Sequence, residues 1–354
     1  MQPPKGGFAM YTIKDIANEV GVSPTTVSLV LNKRPCRVSD ETRKRIQDVA
    51  KEHNYAPNYS ARALVTKQTR TLGLIMPDIS NPYFSELAKG IEREAHKQGY
   101  FVIFCNSNDQ GKKDVENLQL LLNRQVDGVV LVSSISDDEI PLANEFNALA
   151  ARSRVPVVQF DRQLIGSSYD IVSVNHRMGG YLATRFLLSQ GYRSIGCITG
   201  PLNRSFSRDR LEGYLDALRE YNIPKNDALI ASGDFTLQSG LLQAQPLLEN
   251  GCDGIFACND LMAIGVIKAL KKYHYRLGED FGLVGFDNNP FCEYLEPPLT
   301  SVDQNIYDMG KETCRLVIKR IRQSRKPSDA GAYGAQEIRF TPGLVIRSSA
   351  GPKK

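Results

Sequence analysis

The stretch TIKDIANEVGVSPTTVSLVLN, residues 12–32, decides how the front of this chain folds. Thr12 is placed to cap a helix, and Asp15, three residues on, completes a capping box that suits the positive end of the helix dipole. Ile13, Ile16, Ala17 and Val20 fall on one face. Gly21 ends the helix where a left-handed residue is cheapest. Ser23 caps a second helix, and Pro24 stands in its first turn, where a missing N–H does no harm. On that second helix Val27, Val30 and Leu31 gather on one side. Thr25, Ser28, Leu29 and Asn32 gather opposite, with Thr26 on the flank. Two short helices joined by a Gly-containing turn make a helix-turn-helix, whose second helix suits a DNA major groove. A structural helical hairpin fits the same pattern. A third helix follows from Ser39, with Asp40 and Glu41 in its first turn and Ile46, Val49 and Ala50 turned inward.

Charge separates this head from the rest. The chain has 354 residues and a net charge of +5. Residues 1–70 hold twelve Lys and Arg against six Asp and Glu, a net of +6, while the other 284 residues carry 32 basic and 33 acidic groups. The excess positive charge therefore lies in the first fifth of the chain, which points to a polyanion partner for that part or to a plain solvated basic face. At 42% hydrophobic and 23% charged residues, the remainder reads as two or three globular domains. No apolar run is long enough to span a bilayer, and MQPPKGGFAM lacks the apolar region of a secretory signal, so the expected location is the cytoplasm and the expected partners include no membrane. Residues 1–10 read as a disordered extension, with Met10 an alternative start. Seven cysteines without CxxC spacing suit reduced thiols, and four dispersed histidines form no metal motif, so neither metal nor cofactor is expected.

The residues of the head go further than the pattern. TIKDIANEVGVSPTTVSLVLN, followed by ETRKRI and YAPNYSARAL, resembles the DNA-binding head of the lactose-repressor (LacI) family throughout its length. The resemblance implies a DNA-binding domain over 11–57 and a hinge helix and linker over 58–70. It implies that Pro24, Thr25 and Leu29 read bases, while Thr12, Thr26, Ser28 and Asn32 meet phosphates. Leu29 departs from the Arg or His usual there; it can touch a thymine methyl but cannot hydrogen-bond guanine. Pro57 interrupts the preceding helix, and Asn58 can cap a short one that is marginal alone. In the family that segment becomes helical only on the operator. The match adds Asn58 and Arg62 to the DNA contacts and makes Leu64 the apolar wedge in the minor groove. A plain linker helix with Leu64 packed internally is the alternative.

From Thr71 onward strand-like runs (TLGLIMP, YFVIFCN, DGVVLVS, VPVVQFD, IVSVN, SIGCITG, DGIFACN, FGLVGFD) alternate with stretches of helical period. Such alternation means parallel sheets covered by helices, and about 280 residues leave room for two doubly wound subdomains. This body also resembles the family's, whose fold is that of periplasmic sugar-binding proteins. The whole is thus expected to be an all-α helix-turn-helix head plus an α/β body over 71–354. Its subdomains would be about 71–172 plus 303–330, and 173–302 plus 331–350. Chain crossings are expected near 170–174 and on either side of a helix beginning near Ile306. EIRFTPGLVIRSS reads as closing strands, QSRKPSDAGAYGAQ as a loop and GPKK as disordered.

In open α/β sheets ligands bind beyond the C-terminal strand ends. Here those ends carry Asn81, Tyr83 and Phe84, then Asp161 and Arg162, Arg208, Phe235, Asn259, Asp287 and Gln304. Carboxylates, amides and guanidinium forks suit vicinal hydroxyls, and rings pack against sugar C–H faces; without Trp, the rings must be Tyr or Phe. The order FDRQ, SRDR, GDF, ND, GFD and Gln304 looks like that of ribose-binding proteins and ribose repressors. Ser133 departs from the Asn that ribose binders place at its strand end. The resemblance therefore implies a homodimeric, operator-binding transcriptional regulator, a repressor, controlled by ribose or a related pentose. The stretches MPDISNPYFSELAKGIE and RQVDGVVLVS also look like catabolite-control regulators, which use a phosphorylated carrier protein as corepressor, although YLEPPLTSV lacks the basic residue expected there. No nucleophile elbow, P-loop or dinucleotide fingerprint is present, so no enzyme is expected.

Overall fold

The computed structural model describes residues 11–32, 34–55, 68–324 and 334–353. The chain divides into two compact units, through Thr69 and from Arg70. In the first, α1 (Ile13–Val20), α2 (Pro24–Leu31) and α3 (Asp40–Glu52) pack around Ile16, Ala17, Val27, Val30 and Ile46. The caps are those the sequence called for. Thr12 and Asp15 form the reciprocal box, and Gly21 takes φ 75°. Ser23 Oγ accepts from Thr26 N at 3.1 Å, and Ser39 Oγ from Thr42 N at 3.1 Å. Tyr11 stacks on His53 with ring centroids 3.8 Å apart, joining the first and last residues of this helical unit.

The second unit holds two six-stranded sheets. The strands are β1 (Thr71–Met76), β2 (Phe101–Asn106), β3 (Gly128–Leu131), β4 (Val157–Phe160), β5 (Asp170–Val174), β6 (Ile195–Thr199), β7 (Ile230–Ser232), β8 (Gly254–Ala257), β9 (Gly282–Asp287), β10 (Thr300–Asp303), β11 (Glu337–Phe340) and β12 (Gly343–Val345). The first sheet runs β11-β5-β4-β3-β1-β2 with every pair parallel. The second runs β12-β10-β9-β8-β6-β7, and only β12 is antiparallel to its neighbour. The helices are α4 (Pro82–Lys97), α5 (Gly111–Asn123), α6 (Ile140–Ser153), α7 (His176–Ser189), α8 (Ser205–Glu220), α9 (Leu237–Glu249), α10 (Asp260–Lys272) and α11 (Ile306–Gln323). They cover sheet faces built from near-continuous apolar runs such as Gly128–Leu131 and Gly254–Ala257, every residue of which is buried, as a sheet covered on both faces requires.

Two expectations about the body are corrected. The segment beyond residue 331 does not belong wholly to the second subdomain. β11 pairs in parallel with β5, Ile338 opposite Val172, and Ile338 and Phe340 pack on the first core. The third crossing therefore falls at Thr341–Pro342, between β11 and β12, well past the helix that starts at Ile306. The C-terminal tail is also anchored: Lys353 N donates to Gln190 O at 2.8 Å, and its ammonium meets Asp253 Oδ2 at 2.7 Å. A short polar tail is held when a backbone acceptor and a carboxylate face it together. β7 had no separate place in the reading of the sequence, because three residues are too few to show a period.

Candidate functional site

In the head, burial of Val27 and Val30 fixes which side of α2 looks outward. Pro24 and Thr25 are exposed, and Ser28 and Leu29 are half-buried. Two hydroxyls already have partners. Thr26 Oγ1 lies 2.9 Å from Ser23 Oγ, and Thr12 Oγ1 donates to Asp15 Oδ2 at 2.6 Å. The Thr12 hydroxyl and the Thr12 backbone N–H, both donating to it, hold the Asp15 carboxyl below its usual range. Asn32 closes the helix, its Nδ2 donating to Ser28 O at 2.8 Å. Asn58, Arg62 and Leu64, with residues 1–10 and most of the hinge segment, lie outside the described residues.

The body places a cleft at the C-terminal ends of the two sheets. Asn81, Tyr83, Phe84, Asp161, Arg162, Phe206, Arg210, Phe235, Asn259 and Asp287 line a narrow cavity of ≈30 Å³. Its lining of carboxylates, guanidinium groups and rings suits a small, polar ligand. Asn81 caps α4 by accepting from Tyr83 N at 3.0 Å, which directs the ring of Tyr83 inward. Asp161 follows β4 in a left-handed conformation, φ 61°, and Asp287 ends β9 at φ 111°. Both carboxylates are thereby turned off their strands into the cleft.

Their electrostatics differ. Tyr83 donates its hydroxyl to Asp161 Oδ2 at 2.8 Å, and His176 Nε2 lies 2.8 Å from Asp161 Oδ1. Arg210 Nε donates to His176 Nδ1 at 3.2 Å. Burial would raise the Asp161 carboxyl, but His176, Arg210 and the tyrosine hydroxyl outweigh it and hold it at about 2. For Asp287 burial wins over Arg210, with Asp260 and Asp161 adding to the rise, and its carboxyl goes well above the ordinary range. Gln304 Nε2 donates to Asp287 Oδ1 at 2.6 Å from behind. Gln304 is thus a support for the wall and does not line it, contrary to expectation, because the wall residue in front of it already takes its amide.

The arginine of SRDR is also corrected. Arg208 and Arg210 stand two apart on α8 and so face roughly opposite ways. Arg208 is exposed: it donates to Leu202 O at 2.7 Å and pairs with Asp137 Oδ2 at 2.7 Å. Arg210 is the buried one, 3% exposed, with its guanidinium 3.8 Å from the Phe286 ring centroid and Nη1 donating to Cys258 O. Gly180 and Gly213 allow this, since α7 and α8 cross so closely that a Cβ at Gly180 would sit 2.1 Å from Arg210 O. Sequence reasoning missed Arg210, Phe206 and His176. The only signal was His176 beginning a helix directly after β5.

Arg162 lies over two rings, 5.4 Å from the Phe84 centroid and 5.1 Å from that of Phe206, while Phe206 stacks on Phe235 at 5.8 Å. Its Nη1 donates to Ser133 O at 3.2 Å, so at Ser133 the backbone serves where a side-chain amide was expected. Asn259 caps α10, accepting from Met262 N at 2.9 Å and donating to Phe235 O at 2.9 Å. Among the described residues no group of three or more His, Cys, Asp or Glu could hold a metal ion, and no helix is long and apolar enough to cross a membrane.

A helix-turn-helix unit and a two-sheet body with a polar cleft together define a ligand-responsive DNA-binding regulator. Residues 12–58 match the family described as bacterial regulatory proteins, lacI family, and residues 184–350 match the periplasmic binding protein-like domain. The transcriptional regulator DegA of Bacillus subtilis (strain 168) is 36% identical over 343 residues, 96% of this chain and 98% of that protein. The repressor PurR of Actinobacillus pleuropneumoniae serotype 3 is 35% identical with the same coverage of 96% and 98%. A ribose operon repressor of Halalkalibacterium halodurans is 37% identical over 92% of this chain and 94% of its own. Among solved structures, the Lac repressor dimer bound to operator and an anti-inducer superposes with a TM-score of 0.82 at 25% identity, covering 96% and 99%. An Enterococcus faecium regulator with bound ribose gives 0.70 at 31%, covering 80% and 100%. The chain belongs to the LacI family. It is a transcriptional regulator and not an enzyme.

Proposed function

We propose that this chain is a cytoplasmic, homodimeric repressor whose affinity for its operator is set by ribose or a related pentose in the cleft. The observation that carries the effector reading is the joint presence of Asp161, Arg162, Arg210 and Asp287 around phenylalanine faces in one small cavity. These four polar forks match the several hydroxyls of a furanose or pyranose, and the rings match its C–H faces. Relatives named for ribose and a ribose-bound family structure support the same choice. D-ribose titrated calorimetrically into the full chain should give saturable heat that Arg162→Ala removes. A folded chain giving no heat would remove ribose.

On the DNA side, the reading assigns base contacts to Pro24, Thr25 and Leu29 and phosphate contacts to Thr12, Thr26, Ser28 and Asn32, with Asn58, Arg62 and Leu64 acting in the hinge. Operator affinity should fall steeply with salt through counterion release. Leu29→Arg should shift operator preference toward guanine at one base position, and an unchanged preference would sink the assignment. For the homodimer, the supporting feature is the open edge of the first sheet. There β2 exposes Phe101 (63%), Ile103 and Phe104 (43%), an apolar ribbon that a second copy would cover.

One feature favours a second reading, the phosphorylated carrier protein as corepressor. Between α4 and α11 a surface cavity of ≈220 Å³ is lined by Gln98, Arg315, Ile318, Lys319, Arg322 and Gln323, with Arg315 paired to Glu94 and Glu312. Basic residues absent from YLEPPLTSV thus occur on α11. A pull-down with the phosphorylated carrier protein, and its loss in Arg315→Glu, separates this reading from the pentose one.

A further inference from the structure

The two subdomains touch at a second place, away from the crossings. Those crossings leave the sheets at β5, β10 and β11. In the first sheet β3 stands two strands from β5, and in the second β6 stands three strands from β10. Beyond these far strands, the loop before α6 meets the loop and first turn of α8. Asp137 N donates to Asn203 O at 3.0 Å. Asn203 Nδ2 donates to Asp138 Oδ1 at 3.3 Å. Arg204 Nη2 donates to Ser134 O at 2.8 Å, and Arg208 Nη2 meets Asp137 Oδ2 at 2.7 Å.

Ser134, Asp138 and Arg208 are each held on their own side as well. Ser136 Oγ donates to Asp138 Oδ1 at 2.5 Å, and Ser136 N to Glu139 Oε2 at 2.8 Å. Ser134 N donates to the buried carboxylate of Asp114 at 2.6 Å. Arg208 is steadied by Leu202 O. Arg204, 12% exposed at the side chain, reaches across a second time to Asp109 at 3.5 Å, whereas Arg208 is 48% exposed. None of Asn203, Arg204, Arg208, Asp137 or Asp138 lines the cavity.

We infer that these contacts form a latch, with Arg204 and Arg208 as positioning residues that set effector affinity without touching the effector. A clamp hinged on one side gains affinity from whatever holds its other side shut, because a ligand's apparent Kd is divided by the fraction of molecules already in the binding-competent form. The latch supplies that bias with backbone and charged groups, so it acts on any ligand that needs the cleft closed. It rests on the cleft reading only for the identity of the ligand.

The test uses the full chain and a charge swap. Arg208→Asp and Asp137→Arg should each weaken D-ribose binding by about three- to tenfold, and the double variant should recover to within about twofold. Arg204→Ala should cost about tenfold or more, since it removes a charged donor from a buried carbonyl. Hydrogen exchange of the 133–140 segment, followed by mass spectrometry, reads the latch without any ligand. Exchange should quicken in each single variant and slow again in the swap. If wild type takes up no ribose but exchange follows this pattern, the latch stands and the pentose reading fails. Exchange unchanged in every variant overturns the latch. Exchange that responds while the affinity of bound ribose does not overturns its role in affinity.

Discussion

The two aspartates that face each other across the cleft come from equivalent places, one at the end of β4 and one at the end of β9, and both have positive φ. Their carboxyls are shifted in opposite directions. Asp161 has a tyrosine hydroxyl, an imidazole and a nearby guanidinium, and stays ionised down to about 2. Asp287 has the same guanidinium but also Asp260 close by, and burial takes its carboxyl well above the ordinary range. Partners, and not position in the strand, thus favour the charge at Asp161, while burial and the neighbouring carboxylates oppose it at Asp287.

Arg210 serves both walls, and removing it tests the contrast most severely. Arg210→Ala leaves His176 Nδ1 and Cys258 O without their donor and removes the positive charge near Asp161 in a buried site, and should cost roughly 3–5 kcal/mol of stability and abolish effector heat. Arg208→Ala, two residues along the same helix, should cost less than about 1 kcal/mol because its ion pair is half exposed. Chemical denaturation of the two variants side by side measures the difference. Equal losses would mean that Arg210 is not the keystone of the two-walled arrangement.

That pair also shows where reading the sequence stops. Strand runs and caps were legible because burial and helix termini impose local patterns: Thr12, Ser23 and Ser39 all cap where their spacing says they should. Asp161, Arg162, Phe235 and Asp287 were legible as strand-end residues. The choice between Arg208 and Arg210 was not, since it depends on how α8 is rotated against α7, and that rotation is set by Gly180 meeting Gly213 from 33 residues away. The membership of β11 was equally hidden. EIRF can pair with either sheet, and only the apolar slots beside Val172 settle it.

Replacing each aspartate by asparagine separates the walls. Asp161→Asn removes an ionised acceptor and should cost about 2–3 kcal/mol near neutral pH. The sign follows from the lowered folded value. The contribution is present above the unfolded value of about 4, and is lost as pH falls toward about 2. Asp287→Asn removes a charge that burial opposes and keeps an acceptor for Gln304, so it should cost under about 1 kcal/mol. Effector affinity should follow the same order. Calorimetry that found Asp287→Asn the more damaging would overturn the contrast between the two walls.

The smallest effect is expected behind the first wall, at Asp114. Burial raises this carboxyl to about 6, against the pull of Ser107, Ser134 and Arg162. A raised value means that its favourable contribution is complete below about pH 4 and disappears as pH rises through about 6. Asp114→Asn can still accept from Ser134 N while carrying no charge, so the variant should equal or exceed wild-type stability by up to about 1 kcal/mol at pH 7.5. Its melting temperature should also vary less than that of wild type between pH 4 and 6. Identical pH profiles would mean that the carboxyl titrates alike in folded and unfolded chains. The loop carrying Ser134 would then be indifferent to the charge beneath it, and the first wall would owe its ionised character to Asp161 alone.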